Sequence, residues 1–295
     1  MNALRRWLYR GTLSCVICFL IALTLHNRTN HVNVIYHQHP VWNSQNEDKH
    51  SEEKHSDNCH SEDKHSISIG ILIPSTTKYI DVPDLETLTL MRIALPSISV
   101  TMETKYHYTV NIAIEADDYL ESVQDEIIKR FCFAKIIIVT GGSTFTDAVN
   151  EIAEVAYDDN MTYFVRINDD TRFISPNWIS TGIKALLGFI PKNVGAVGPT
   201  FIHENKKRKY RNPILTHDMV HMTHLDIFGF YYSPVFDNCL GDNWISEIYK
   251  PNRSMKITDW TVRQERIHET MSMELYQYFQ SIKDQDKLLI EKYSR

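Results

Sequence analysis

The sequence predicts an α/β fold: a mainly parallel sheet with helices on both faces. Two observations predict it. Short apolar runs alternate with amphipathic stretches from residue 69 to residue 198, the pattern of strands joined by covering helices. Four of those runs end in polar residues: Pro74-Ser75-Thr76, Glu115-Ala116-Asp117, Gly141-Gly142 and Asn168-Asp169-Asp170. In a parallel sheet such ends share one rim, where ligands bind.

The elements follow in order. The first strand is expected at 69–74, an apolar run stopped by Pro74 and the turn-forming Ser75-Thr76-Thr77. A helix over 85–99 carries Leu88, Met91, Ile93 and Leu95. The strand at 108–114 precedes a helix at 119–131, and the strand at 135–139 ends at Gly141-Gly142. A helix over 146–157 puts Val149, Ile152, Ala153 and Ala156 on one face. The run Tyr163-Phe164-Val165-Arg166-Ile167 reads as a buried strand that delivers Asn168-Asp169-Asp170 to the rim. A helix at 177–187 and a strand at 194–198 complete the alternation. Residues 269–295 read as a surface helix, with Met271, Leu275, Tyr278 and Ile282 at helical spacing. No Gly-x-Gly-x-x-Gly follows the first strand and no P-loop is present, so the common dinucleotide and ATPase readings fail.

The acidic cluster has two readings. Asn and Asp favour turns. Adjacent carboxylates also suit a hard divalent cation, which takes oxygen ligands and brings substrate phosphates with it. The strand in front of the cluster favours the metal.

Arg5, Arg6 and Arg10 precede an apolar run over 13–25, the plan of a signal peptide or signal anchor. Leu23-Thr24-Leu25-His26 offers no small-x-small cleavage site. An uncleaved transmembrane anchor is therefore expected over 11–26, with 1–10 as a cytoplasmic tail by the positive-inside rule. Residues 27–67 are polar, and 47–66 repeat a His-acid pattern every five residues. This segment is expected to be a disordered stem, with weak metal holding as a second reading. Asn27-Arg28-Thr29, Asn160-Met161-Thr162 and Asn252-Arg253-Ser254 are glycosylation acceptor patterns. They agree with a lumenal address for everything after the anchor.

A net charge of −6 and a pI near 6.2 argue against nucleic acid as a partner. The basic run at 206–211 reads as a solvated loop. Cys15 and Cys18 lie in the apolar run, which leaves Cys59, Cys132 and Cys239. This is not a disulfide-stapled scaffold. A Cys132–Cys239 bridge and pairing of Cys59 with another chain both stay open.

Over 67–268 the pattern resembles the GT-A (Rossmann-like) nucleotide-sugar glycosyltransferases, in the form of type II Golgi membrane proteins. Three pieces carry the resemblance. Asn168-Asp169-Asp170 looks like a variant of the Asp-x-Asp signature, with Asn168 in place of the usual first Asp. The segment 146–156 looks like the helix before the metal strand in inverting, family-2-like members. The segment 228–245, with Asp237 and Asp242 among Phe228, Phe230, Tyr231, Tyr232, Phe236 and Trp244, looks like the acceptor side.

The resemblance implies a GT-A domain over 68–268 followed by the C-terminal helix 269–295. It implies Mn²⁺ or Mg²⁺ on Asp170 and Asp169, with His268 as a further ligand. It places the donor against Pro74, Ser75, Thr76, Glu115, Asn150, Asn168 and Asp169. Asp242, with Asp237 as competitor, becomes the catalytic base in a cleft walled by Tyr231, Phe236 and Trp244. The partners implied are a nucleotide-diphosphate sugar donor and a glycan or glycoprotein acceptor, at a Golgi or ER membrane.

Rival readings remain. His217, His221 and His224 have the spacing of a zinc site on one helix face. Arg263 and Arg266 suit either phosphate or a solvated surface. A catalytically inactive GT-A-like glycan-binding protein would share the fold. A nucleotidyltransferase would want a Gly-rich basic loop where Pro74-Ser75-Thr76-Thr77 stands.

Overall fold

The structure is a computed structural model that describes residues 67–140, 144–202, 214–236, 240–264 and 273–294. The chain divides into two units, Met1–Ser51 and Glu52–Arg295. The first unit, and with it the expected tail, anchor and nearly all of the stem, lies outside the described residues. So do Asp237, His268, Arg266, Cys59, Cys239 and the basic run at 206–211. Among the described residues no helix is long and apolar enough to cross a membrane.

Eight strands make one sheet: β1 (Ser68–Pro74), β2 (His107–Ile114), β3 (Ala134–Ile138), β4 (Tyr163–Arg166), β5 (Thr171–Phe173), β6 (Ala196–Phe201), β7 (Asp218–His221) and β8 (Ser254–Gln264). Their order is β3-β2-β1-β4-β7-β6-β8-β5. From β3 to β4 all neighbours are parallel. β7 is antiparallel to both β4 and β6, β8 is parallel to β6, and β5 is antiparallel to β8. The sheet is therefore mixed: its first half is parallel as expected, and its second half combines antiparallel pairs with the parallel β6–β8 pair. The strands foreseen at 69–74, 108–114, 135–139 and 163–167 all form, and that at 194–198 forms as β6. β5, β7 and β8 were not foreseen. β5 and β7 are only three and four residues long, and β8 mixes Lys256, Thr258, Asp259 and Thr261 with its apolar residues.

The period of two in β1 serves both faces. Ile69, Ile71 and Ile73 enter a core with Leu90, Leu95, Ile98, Val110, Ile112 and Trp178. Gly70 faces the other way, where an added Cβ would sit 3.2 Å from Cβ of Ala156. Ala156 belongs to α4 below, so helices cover both faces as expected.

The helix foreseen at 85–99 begins as a π-helical turn, Leu90–Ala94, and passes into α1 (Leu95–Thr101). Pro96 sits in the first turn of α1, where its missing N–H is tolerated. The helix foreseen at 119–131 breaks at Val123 into α2 (Tyr119–Ser122) and α3 (Gln124–Arg130). α4 (Phe145–Asp158) and α5 (Trp178–Leu187) form where the periodicity puts them. Trp178 of α5 stacks between Phe173 and Trp260, with ring centroids 4.2 and 5.4 Å away.

α6 (Thr223–Phe228), α7 (Gly241–Ile248) and α8 (Met273–Tyr293) complete the fold. The C-terminal helix exposes one face, with Leu288 and Tyr293 open to solvent. It buries Ile282 and Ile290, and Trp244 Nε1–H of α7 donates to Asp286 Oδ2 of α8 at 2.7 Å.

β6 and β7 approach closely at Gly198. A Cβ there would lie 2.2 Å from the backbone oxygen of His217, and a strand backbone has little room to give. Gly198→Ala is expected to lower the unfolding free energy by about 1–3 kcal/mol, the range for overpacking. Urea denaturation measures it; an unchanged midpoint would mean that the two strands part at no cost.

Candidate functional site

The carboxyl ends of β1, β2 and β4 meet on one rim. Ser75, directly after β1, donates its hydroxyl to Asp169 Oδ2 at 3.0 Å. The next residues are fastened to Asp118, which follows β2. Thr77 N–H and hydroxyl reach its two oxygens at 2.8 and 2.7 Å, and Thr76 Oγ1 donates at 3.2 Å. Asp118 also caps α2 by accepting from Leu120 N. One carboxylate thereby fixes two rim loops and a helix start. Lys78 pairs with Glu115 at 2.6 Å. Pro74, Ser75, Thr76, Glu115, Asn168, Asp169 and Asp170 all fall on these strand ends. Asp118 had no assigned role from sequence, although an acid just ahead of a helix is an N-cap signal.

Asp170 is 1% exposed. The next residue, Thr171, exchanges a 2.7 Å hydrogen bond with His217 Nε2. Burial pushes His217 down to about 3, so the ring is neutral. Nδ1–H then donates to Thr216 O at 2.8 Å, and Nε2 is left to accept from Thr171. His217 thus anchors the backbone that leaves the acidic corner. Two adjacent carboxylates, one buried and one held by a serine hydroxyl, suit a hard cation as a partial donor set. No group of three or more His, Cys, Asp and Glu able to hold a metal occurs among the described residues. The expected further ligand, His268, lies outside them.

Beside this rim is a buried polar cluster. Arg166, the last residue of β4, pairs in register with Asp218 of β7. Its Nη1 donates to Thr216 O at 2.7 Å, and its guanidinium lies 4.5 Å from the Phe145 ring centroid. Asp218 is fully buried and accepts hydrogen bonds from both Tyr231 and Tyr232. Burial raises its carboxyl to about 6, against the lowering pull of the tyrosines and Arg166. Burial, and then the charge of Asp218, hold both phenols well above their ordinary value, so they act as donors.

Asn150 of α4 clamps the same pair from behind. Its Oδ1 accepts from Tyr231 N and Tyr232 N, and its Nδ2 donates to Tyr232 O at 2.8 Å. Both ends of its amide are engaged with backbone.

Asp242 lies in the first turn of α7, with its Oδ1 accepting from Asn243 N at 2.8 Å. It is half-buried, and burial raises its carboxyl while Arg166 and Lys256 oppose the rise. Gly241 permits this placement, because a Cβ there would lie 2.6 Å from the Tyr232 ring.

The aromatic cleft does not form as expected. Tyr231, Phe236 and Trp244 are buried. Trp244 packs edge-on against Phe228 and His224, within 6 Å. These rings are core rather than open cleft walls.

The zinc-site spacing also dissolves. His221 ends β7, His217 directly precedes that strand, and His224 lies in the first turn of α6, so no one helix carries all three. His224 is buried between Tyr249 OH and Tyr231 O at 2.8 Å each, and burial pushes it down to about 4.

No protein-family model matches the chain, and no curated protein matches it. Solved structures do. The 1–349 fragment of S. aureus TarS in complex with UDP aligns over 75% of this chain and 65% of that one, at 10% identity and a TM-score of 0.52. The same fragment in complex with UDP-GlcNAc aligns over 75% and 66%, at 9% identity and a TM-score of 0.50. The longer S. aureus TarS structure aligns over 74% of this chain and only 39% of that one, at 10% identity. At such identity the likeness establishes the fold.

The buried imidazoles set an acid limit on stability. Below pH 6.5 the unfolded chain binds protons that His217 and His224 refuse when folded, at a cost of about 1.4 kcal/mol per pH unit for each. Asp218, raised to about 6, acts in the opposite direction from about pH 6 downward, and Asp242, whose folded value is also raised, acts with it. The imidazoles outweigh them. Unfolding free energy is expected to fall by on the order of 1–3 kcal/mol between pH 7 and pH 5. A urea midpoint that stays flat or rises across that window would mean that an imidazole is charged inside the fold.

Proposed function

We propose that this chain is an inverting glycosyltransferase that moves a sugar from a nucleotide-diphosphate donor to a glycan or glycoprotein acceptor. The observation that carries the reading is the rim itself. Ser75, Asp169 and Asp170 converge at the ends of β1 and β4, and a carboxylate with a raised pKa stands nearby on α7. The fold shared with S. aureus TarS, solved with UDP and with UDP-GlcNAc, supports it and makes a UDP-sugar the first donor to test.

In this reading Pro74, Ser75, Thr76, Glu115 and Asn168 line the donor side. Asn150 acts behind it by holding the Tyr231-Tyr232 backbone. Asp169 and Asp170 would hold Mn²⁺ or Mg²⁺, which when bound offsets negative charge on the departing diphosphate. Asp242 accepts the proton of the attacking acceptor hydroxyl. Its raised pKa makes it a stronger base than an exposed carboxylate, and Arg166 nearby favours its charged form. The address proposed is a single-pass type II Golgi or ER membrane protein with a lumenal domain. Exposure of Asn160 and Asn252 supports it, because glycan acceptor sites must be reachable.

The test measures transfer and hydrolysis of a UDP-sugar and GDP-sugar panel with Mn²⁺ or Mg²⁺. Asp170→Asn is expected to abolish transfer and donor-dependent Mn²⁺ binding while the thermal midpoint holds. Full activity in that variant would make the acidic cluster a turn. Asp242→Asn is expected to cut turnover by about 10²-fold or more, the scale of general-base loss, with donor affinity nearly unchanged. Loss of donor binding instead would move Asp242 to the donor side.

A further inference from the structure

A transverse row of residues crosses the second half of the sheet. Arg166 of β4 pairs with Asp218 of β7. Val197 of β6 pairs with Met219 of β7, so the next antiparallel step sets Gly198 level with Asp218. Gly198 in turn pairs with Lys256 of β8. Residues level with one another on neighbouring strands point to the same face, and the neighbours Val197 and Ile257 enter the core on the other one. The row therefore reads cation, anion, gap, cation.

The gap is occupied by backbone. A Cβ on Gly198 would meet the backbone oxygen of His217 and, at 3.2 Å, Cδ2 of Leu215, so residues 215–217 pass over it. This segment is tied to α7. Leu215 N donates to Ser246 Oγ at 2.7 Å, and the Ser246 hydroxyl donates to Asp242 O at 2.6 Å. Arg166 Nη1 holds the same segment at Thr216 O. The helix that carries Asp242 is thus joined to a stretch of the row with Arg166 on one side and Lys256 on the other.

Arg166 faces two carboxylates, Asp218 and Asp242, and cannot balance both. Lys256 makes the count even. It is half-buried, with a stem long enough to reach across a strand spacing of about 4.8 Å. Burial raises the Asp242 carboxyl, and Arg166 and then Lys256 oppose the rise. Burial lowers the Lys256 ammonium, Asp242 draws it up, and Lys250 adds a smaller push down. Among the described residues three more ionisable groups share this field. Asp218 and Tyr232 are raised first by burial and further by Asp242. His217 is lowered first by burial, then by Arg166 and Lys256.

Resting on the reading of Asp242 as the base, we propose that Lys256 is a positioning residue, the second cation that with Arg166 holds the Asp242 carboxylate charged and ready for the acceptor proton. No proton passes through Lys256 itself.

The full-length chain, isotope-labelled at the aspartate carboxyls, is titrated by NMR, with Asp242 assigned by its loss in Asp242→Asn. In Lys256→Met and Lys256→Gln the Asp242 titration is expected to move to higher pH by on the order of half a unit, the scale for removing one nearby, partly screened charge. Lys256→Arg is expected to restore it. The acid limb of kcat/KM, which reports the base of the free enzyme, is expected to move with the titration. An Asp242 titration unmoved in the neutral variants, or moved equally in Lys256→Arg, would overturn the proposal. If the titration moves and the acid limb stays, Lys256 still holds the carboxylate charged, and it is the reading of Asp242 as the base that fails.

Discussion

One buried carboxylate, Asp218, holds the two halves of the site in register. Removing such a charge from water costs several kcal/mol, and here two phenol hydroxyls and the field of Arg166 offset that cost. Charge-assisted hydrogen bonds contribute about 1.5–3 kcal/mol each, so the pair can balance the penalty only if both are made. Both tyrosines must therefore be seated together, and Asn150 grips their backbone at the same point. Gly241, at the start of α7 beside Asp242, packs closely on the Tyr232 ring and so takes its position from this arrangement. Arg166 joins the cluster to β4, whose next residues are the acidic corner.

The two halves of the sheet divide the labour. The parallel half supplies strand ends that point the same way, and Ser75, Asp118 and Asp169 converge there because three crossovers return the chain to one edge. The reversal at β7 does something a parallel strand cannot. It starts at the rim rather than ending there, so His217 and Asp218 enter the site from the opposite chain direction.

Legibility followed local periodicity. β1 to β4, α4 and α5 were readable because apolar spacing in those segments is regular and longer than a turn. β5 and β7 were not, since three or four residues carry too little pattern and their place depends on distant partners. The rim residues were readable as strand ends. The tyrosines were misread: an aromatic run beside acids looks the same whether it lines a cleft or fills a core, and only the buried Asp218, Asn150 and Trp244 contacts decide it. The histidine spacing failed for a related reason, since separations of four and three count as one face only on a helix, and β7 is a strand. Asp118 was a missed capping residue whose second duty, holding Thr76 and Thr77, is set by contacts that no spacing encodes.

The bond from Trp244 to Asp286 spans 42 positions along the chain. During synthesis the helix that carries Asp242 leaves the ribosome well before its brace does. Until α8 emerges, the Trp244 indole N–H lacks its partner and that flank of α7 is uncovered. The nascent chain can assemble the rim at the ends of β1, β2 and β4 early, but Asp242 is braced only once α8 has followed. The order of emergence thus sets a built-in delay between forming that rim and firmly holding the carboxylate beside it.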